Sequence, residues 1–168
     1  MEKYYHETLN ALLNCFKKTI LDVNRVQSYF NDEENIDGHG DLEFIFEDNS
    51  YLTLSGVGDA ESIRATNDKA IVHEPLEVSD QDICSWQKHN MKIETLWNKL
   101  IGQKVQRIEI IWNNYGNNKC LKGCIIHLDI DIIQFYETES DTNHFYINES
   151  LEWINSNIQL ERIEINEC

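Results

Sequence analysis

Residues 42–56, LEFIFEDNSYLTLSG, have the pattern of two short strands that fold back on each other. Apolar and polar residues alternate on both sides of Glu47-Asp48-Asn49-Ser50, and these four residues are typical of a turn. A similar pattern recurs about 80 residues later in residues 124–138, CIIHLDIDIIQFYET. We therefore predict a β-hairpin in each half of the chain.

The neighbourhood of each hairpin is also repeated. A leading strand, a hairpin and a third strand are predicted in residues 19–66 and again in 104–147, with 67–103 as a connecting segment. A shift of 81 residues superposes Phe44 on Ile125 and Leu54 on Phe135. Internal duplication is one hypothesis. The alternative is that any series of short antiparallel strands gives this pattern.

The remaining elements follow from periodicity and turn residues. Apolar residues at helical spacing predict a helix over residues 3–17. Further helices are predicted over 79–92, 94–100 and 150–157, a short strand at 71–72, a loop at 113–118 and a last strand at 160–165. The sequence thus predicts a single α+β domain, 1–168: mainly antiparallel sheet, with an N-terminal helix and one or two further helices packed on it.

Composition limits the classes of partner. The net charge of −16 opposes direct binding to nucleic acid or to an anionic membrane. The sequence shows neither a secretory signal nor an apolar run long enough for a membrane span, so we expect a cytoplasmic protein. Five scattered cysteines are then expected to be reduced thiols.

The acidic residues are concentrated in two windows without Lys or Arg, and these windows hold 18 of the 30 acids. The first lies between Arg25 and Arg64, the second between Lys122 and Arg162. The negative electrostatic potential of such acidic regions often steers a basic partner toward its binding site. The alternative is that the charge only keeps the protein soluble.

No motif for catalysis or metal binding is present. His127, Asp129 and Asp131 alternate, but the hairpin comparison places the two aspartates in a turn, which separates these three side chains. Cys120 and Cys124 lack the further ligands of a zinc site. We therefore expect no metal, no cofactor and no enzymatic activity. An enzyme with an unrecognised site around Cys124, His127 and Asp129 stays an alternative.

Residues 96–113, LWNKLIGQKVQRIEIIWN, carry a resemblance. With Trp97, Leu100-Ile101-Gly102, Trp112 and the earlier 42–56 stretch, the chain resembles a loose group of small acidic bacterial proteins. Some of these are encoded beside polymorphic toxins as immunity proteins. The resemblance covers about half of the chain and includes no shared catalytic residues. It implies a single-domain protein that binds and blocks a toxin.

Together, charge and resemblance predict an inhibitor that binds a basic protein, such as a nuclease-like toxin. Hydrophobic anchors would supply affinity, and acids would set rate and specificity. A nucleic-acid mimic or anti-defence phage protein is an alternative, as is an assembly module that binds its own basic region at 99–122. The candidate partner-binding residues are Asp32, Glu33, Glu34, Asp37, Asp41, Glu137, Glu139 and Asp141. The oligomeric state is left open.

Overall fold

The computed structural model describes residues 2–35, 40–57, 62–115, 118–137, 143–149 and 160–165. In these ranges the chain has an α+β fold, with two antiparallel sheets, an N-terminal helix and one further short helix. The N-terminal helix, α1, spans Glu2–Asn14. The second helix, α2, spans Thr95–Asn98 and follows a 3₁₀ turn at Met91–Ile93. The predicted fold class is therefore confirmed.

The first sheet contains the hairpin that is predicted from residues 42–56. Its strands are β1 (Ile20–Phe30), β2 (Glu33–Glu34), β3 (Asp41–Phe46), β4 (Tyr51–Val57), β5 (Ser62–Thr66), β6 (Leu76–Glu77) and β7 (Ile83–Asn90). Their order is β5-β4-β3-β1-β7-β6, and β2 pairs separately with β1. The predicted turn joins β3 to β4, and Asn49 has the positive φ of 61° that asparagine tolerates.

The second sheet repeats this order. Its strands are β8 (Arg107–Tyr115), β9 (Asn118–His127), β10 (Ile132–Glu137), β11 (Asn143–Ile147) and β12 (Leu160–Ile165). They are arranged β11-β10-β9-β8-β12, which matches β5-β4-β3-β1-β7 strand for strand. The 81-residue shift predicted from the hairpins also carries β5 onto β11. Common ancestry of the two units stays a prediction.

The two sheets meet at the segments that precede their leading strands. Thr19 and Lys104 form an antiparallel bridge. Four backbone hydrogen bonds surround it: Lys17 N to Val105 O, Val105 N to Lys18 O, Ile20 N to Gln103 O and Gly102 N to Ile20 O. They form two pairs that a shift of 85 residues, the separation of Thr19 and Lys104, interchanges. This seam therefore has local two-fold symmetry.

One hydrophobic core lies between the sheets and α1. Leu12 of α1, Phe44 and Leu52 of the first sheet, and Ile126 and Phe135 of the second sheet belong to one cluster of buried side chains. The Trp97 ring of α2 packs edge-on against Phe145 with 5.1 Å between ring centroids. Each such buried side chain contributes about 1.5–3 kcal/mol to stability.

Three predicted elements are corrected. The helix predicted at 79–92 is wrong, because this segment completes the β6–β7 hairpin and forms β7. The strand lacks the alternation of apolar residues that would predict it. The spacing of Ile83 and Trp86 instead resembles that of a helix face. The short strand at 71–72 does not form, and a two-residue strand follows Pro75 instead. The loop at 113–118 is largely strand, since β8 and β9 extend to Tyr115 and from Asn118. The helix predicted at 150–157 lies outside the described residues.

Candidate partner-binding site

The far end of β1 turns back sharply at two residues. Asn31 and Asp32 have φ values of 49° and 64°, which suit the mirror-image turns of tight hairpins. Beyond them, Glu33 pairs with Phe30 and Glu34 with Tyr29. This geometry displays three successive acids, Asp32 to Glu34, on an exposed turn.

A second turn lies directly beside the first. The β6–β7 hairpin is closed by the bond from Val78 N to Asp82 O, at 2.8 Å. The Asn31 side chain joins the two turns, because its Nδ2 donates to Asp82 Oδ1 at 3.0 Å and its Oδ1 accepts from Ile83 N at 2.8 Å. We call residues 30–34 and 76–83 together the acidic tip.

The acidic tip carries six acids and no Lys or Arg. They are Asp32, Glu33, Glu34, Glu77, Asp80 and Asp82. Glu34 forms an ion pair with Arg25 from the adjoining β1. The amide of Asn31 and the hydroxyl of Ser79 donate to Asp82 and lower the pKa of that carboxyl, so it remains ionised at neutral pH. The tip is therefore a compact region of negative charge.

Large apolar side chains are exposed among these acids. Phe30, Leu76, Val78 and Ile83 expose 48%, 57%, 58% and 46% of their surface. With Ile71 and Val72, they make up six of the eleven exposed large hydrophobic residues in the described part of the chain. Such a concentration within a short stretch marks a candidate interaction surface, whereas single exposed apolar residues need no explanation.

A cavity of about 900 Å³ adjoins the acidic tip on the polar face of the first sheet. Asp41, His73 and Trp86 line it, and Ser28 of its wall lies two residues before Phe30 on β1. The His73 ring meets Trp86 edge-on at 5.6 Å between centroids. Burial raises the pKa of Asp41 to about 6, while the nearby His73 acts in the opposite direction.

Residues 67–75, which we call the strap, cross this face and form one wall of the cavity. Glu43, only 1% exposed, accepts a bond from Ala70 N at 2.6 Å and one from Lys88 Nζ at 2.8 Å. Asn24 Nδ2 donates to the same carboxylate at 2.8 Å. The strap is thus held by a buried carboxylate, whose desolvation is offset by these hydrogen bonds and by its ion pair with the partly exposed Lys88.

The eight predicted site residues are distributed unequally. Asp32 and Glu33 lie in the tip with exposed side chains, whereas Glu34 is engaged by Arg25. Asp41 lies half-buried in the cavity wall. Glu137 ends β10, but its side chain lies outside the described residues, as do Asp37, Glu139 and Asp141.

Other acids of the two windows serve the fold. Asp48 pairs with Lys18 at 2.9 Å. Asp129 Oδ2 accepts from Lys104 N at 2.7 Å and Asp131 Oδ1 accepts from Asn148 Nδ2 at 2.6 Å. These carboxylates organise turns, so the acidic windows are only in part a free surface.

The alternative enzyme site does not assemble. Cys124 belongs to the core between the sheets, and burial raises the pKa of its thiol. His127, three residues along β9, lies on the opposite face and contacts Glu109, while Asp129 lies in the turn beyond. Within the described ranges, no group of three or more His, Cys, Asp or Glu side chains could hold a metal ion.

Sequence reasoning missed the second half of the tip. The pattern of the sequence assigns Glu77 to the connecting segment and Asp80 and Asp82 to the helix predicted at 79–92, although no Lys or Arg occurs between Lys69 and Lys88. That gap was the available signal. This gap is shorter than the two acidic windows, so it is less conspicuous in the sequence.

The chain was compared with family models, with curated proteins and with solved structures, and none of them matches it. In the portion of the chain that is described, no helix has the length and apolar character required to cross a bilayer.

Proposed function

We propose that this protein binds a basic protein partner through the acidic tip and occludes it, as an immunity protein blocks a nuclease-like toxin. The observation that carries the proposal is the mixture, on one tip, of six acids with four exposed large apolar side chains. Apolar anchors surrounded by charge are the usual composition of a specific protein interface.

The two kinds of side chain have different tasks in this proposal. The acids raise the rate of encounter with a cationic surface, and the net charge of −16 extends that attraction beyond the contact itself. Phe30, Leu76, Val78 and Ile83 slow dissociation, because burying their exposed surface in the complex is favourable.

The same mixture favours a protein interface over nucleic-acid mimicry. A mimic needs carboxylates in a continuous row, as phosphates occur along a strand, and gains little from apolar side chains between them. In the acidic tip the apolar residues alternate with the acids, as in Leu76-Glu77-Val78.

The test uses variants that differ only in the location of the change. The tip variant Glu33→Gln/Asp80→Asn removes two exposed acids, and the control variant Glu47→Gln/Glu94→Gln removes two exposed acids elsewhere. Basic proteins captured from the native host on the wild-type chain are purified, and their association rates are measured from low to high salt. We expect the tip variant to associate about five-fold more slowly at low salt, and the control to change little.

A third variant, Leu76→Ser/Val78→Ser, tests the anchors. It should raise the dissociation rate and leave the association rate nearly unchanged. Co-expression with the gene of the captured partner then tests inhibition, since the wild-type chain should restore growth and the anchor variant should not. Equal binding by tip and control variants, or a partner whose activity survives complex formation, would refute the proposal.

A further inference from the structure

β7 has a partner along its whole length on one side only. On that side it pairs with β1, with Asn90 opposite Asn24 at one end and Cys84 opposite Phe30 at the other. On the other side β6 pairs only at Leu76–Cys84 and Glu77–Ile83. From Ser85 to Asn90, no described strand lies against this outer edge.

The alternation of the strand shows which backbone groups face outward. Ile83 O accepts from Asn31 N on the β1 side, while Asp82 O accepts from Val78 N on the β6 side. Because the direction of backbone groups reverses at each residue, the N–H and C=O groups of Trp86 and Lys88 point to the outer edge. Among the described residues, the outward backbone groups of Trp86 and Lys88 thus have no strand partner.

In the described part of the chain, no lysine side chain guards the outer edge from Ser85 to Asn90. Edge strands are often guarded by a lysine whose charge opposes pairing. Lys88 instead lies over the sheet face, where its Nζ is 2.7 Å from Glu43 Oε1. The chain before β6 does not extend the pairing, because Pro75 has no N–H to donate and the strap crosses to the cavity.

We propose that the outer edge of β7 accepts an extended basic segment of the partner as an added strand. Charge complementarity selects this occupant, since Glu74, Glu77, Asp80 and Asp82 precede the edge and no Lys or Arg occurs between Lys69 and Lys88. Exposed Ile83 and Leu76 continue the same surface. Main-chain hydrogen bonds give affinity in this mode, and side-chain contacts give specificity. The inference rests on the proposed function and specifies its binding mode.

The test uses three capped heptapeptides on the full chain. The probe alternates Lys and Val. The second peptide has the same sequence but is N-methylated at two consecutive central residues, so that neither of its edges keeps a central N–H. The third alternates Glu and Val and controls for charge. Titration gives each affinity, and amide hydrogen exchange by NMR gives the protection of Trp86 and Lys88.

We expect the Lys–Val probe to slow exchange at Trp86 and Lys88 about ten-fold or more, while the Gln87 amide, which faces β1, changes little. The methylated and acidic peptides should bind at least about ten-fold more weakly. Equal binding of the probe and its methylated form, or unchanged exchange at Trp86 and Lys88, overturns strand addition. If strand addition is overturned in this way but the Lys–Val probe fails to bind the variant Glu33→Gln/Asp80→Asn, the proposed function stands and only the proposed binding mode fails.

Discussion

The two sheets have the same five-strand order but differ at the far end of their leading strands. In the first sheet, β1 is extended by a two-residue turn, and β6 joins the edge to form the acidic tip. In the second sheet, β8 continues into β9, and β12 pairs with β8 over six residues. The difference teaches that two sheets with the same strand order can present different surfaces, because short elements are added at one end of one of them.

The largest expected effect compares two buried acids, one on each sheet. Glu43→Ala leaves Lys88, Asn24 and Ala70 N–H without their shared acceptor, so it should lower the free energy of unfolding by about 3 kcal/mol. Glu109→Ala should cost about 1–2 kcal/mol, because Arg107 beside it is 41% exposed and can be solvated.

Urea denaturation of both variants at pH 7 measures the difference. Exposed Glu47→Ala, expected within about 0.5 kcal/mol of wild type, is the control. A smaller loss for Glu43→Ala than for Glu109→Ala would show that the strap is not held by the Glu43 ion pair.

The next comparison concerns two glycines. A Cβ at Gly123 would lie 2.5 Å from the backbone oxygen of Phe135 on β10. Gly123→Ala should therefore destabilise the protein by about 2 kcal/mol, since the strand must move. At Gly56 the obstacle is the Asn143 side-chain oxygen, also at 2.5 Å, which can rotate away.

Thermal denaturation of Gly123→Ala and Gly56→Ala tests this difference, with a larger fall in Tm expected for the former. Asn143→Ala removes the obstructing oxygen. The double variant Gly56→Ala/Asn143→Ala should therefore recover the stability that Gly56→Ala loses. Failure to recover it would place the strain at Gly56 in its own backbone.

The last comparison is a pH dependence with opposite signs on the two sheets. Burial raises the pKa of Asp41 to about 6, against 3.8 ordinarily, so folding takes up a proton between pH 4 and 6. Its contribution to stability therefore falls as pH rises through this window. Asp41→Asn removes the penalty, so its stability relative to wild type should rise between pH 4 and 7.

Asp129 behaves in the opposite sense. The N–H of Lys104 and the amide of Gln106 donate to it and lower its pKa, so its stabilisation is present above the usual range of aspartate and is lost as pH falls. Asp129→Asn should therefore be less stable than wild type at pH 7 and approach it in acid. Urea unfolding from pH 4 to 7 measures Asp41→Asn, and urea unfolding from pH 4 down to about 2 measures Asp129→Asn. A profile parallel to that of wild type within its own window would contradict that assignment.

How far the sequence predicts this molecule depends on burial. Where one strand face enters the core, as in Leu42, Phe44 and Leu52, alternation predicted both the strands and their pairing. β7 has apolar residues at one end and mostly polar residues elsewhere, so its sequence lacks such a period and predicts a helix instead. The duplicated order was visible only through the hairpins, the most regular parts of each unit.

The candidate site could be predicted in part for a related reason. Charge gaps are visible in a linear sequence, and they indicated Asp32 and Glu33. That residues 76–83 lie beside them depends on the Asn31 side chain and on β1–β7 pairing across more than fifty residues, and no local pattern encodes these contacts. The engagement of Glu34 by Arg25 was equally invisible.

The seam at Thr19 and Lys104 has a consequence for the history of the chain. Its hydrogen bonds are reciprocal, each half offering to the other what it receives. If the predicted duplication is right, an ancestor with a single unit would have satisfied those groups with water or with a second copy of itself, as a homodimer. Fusion of two gene copies would have made that contact intramolecular. One unit could then have changed its sequence independently of the other.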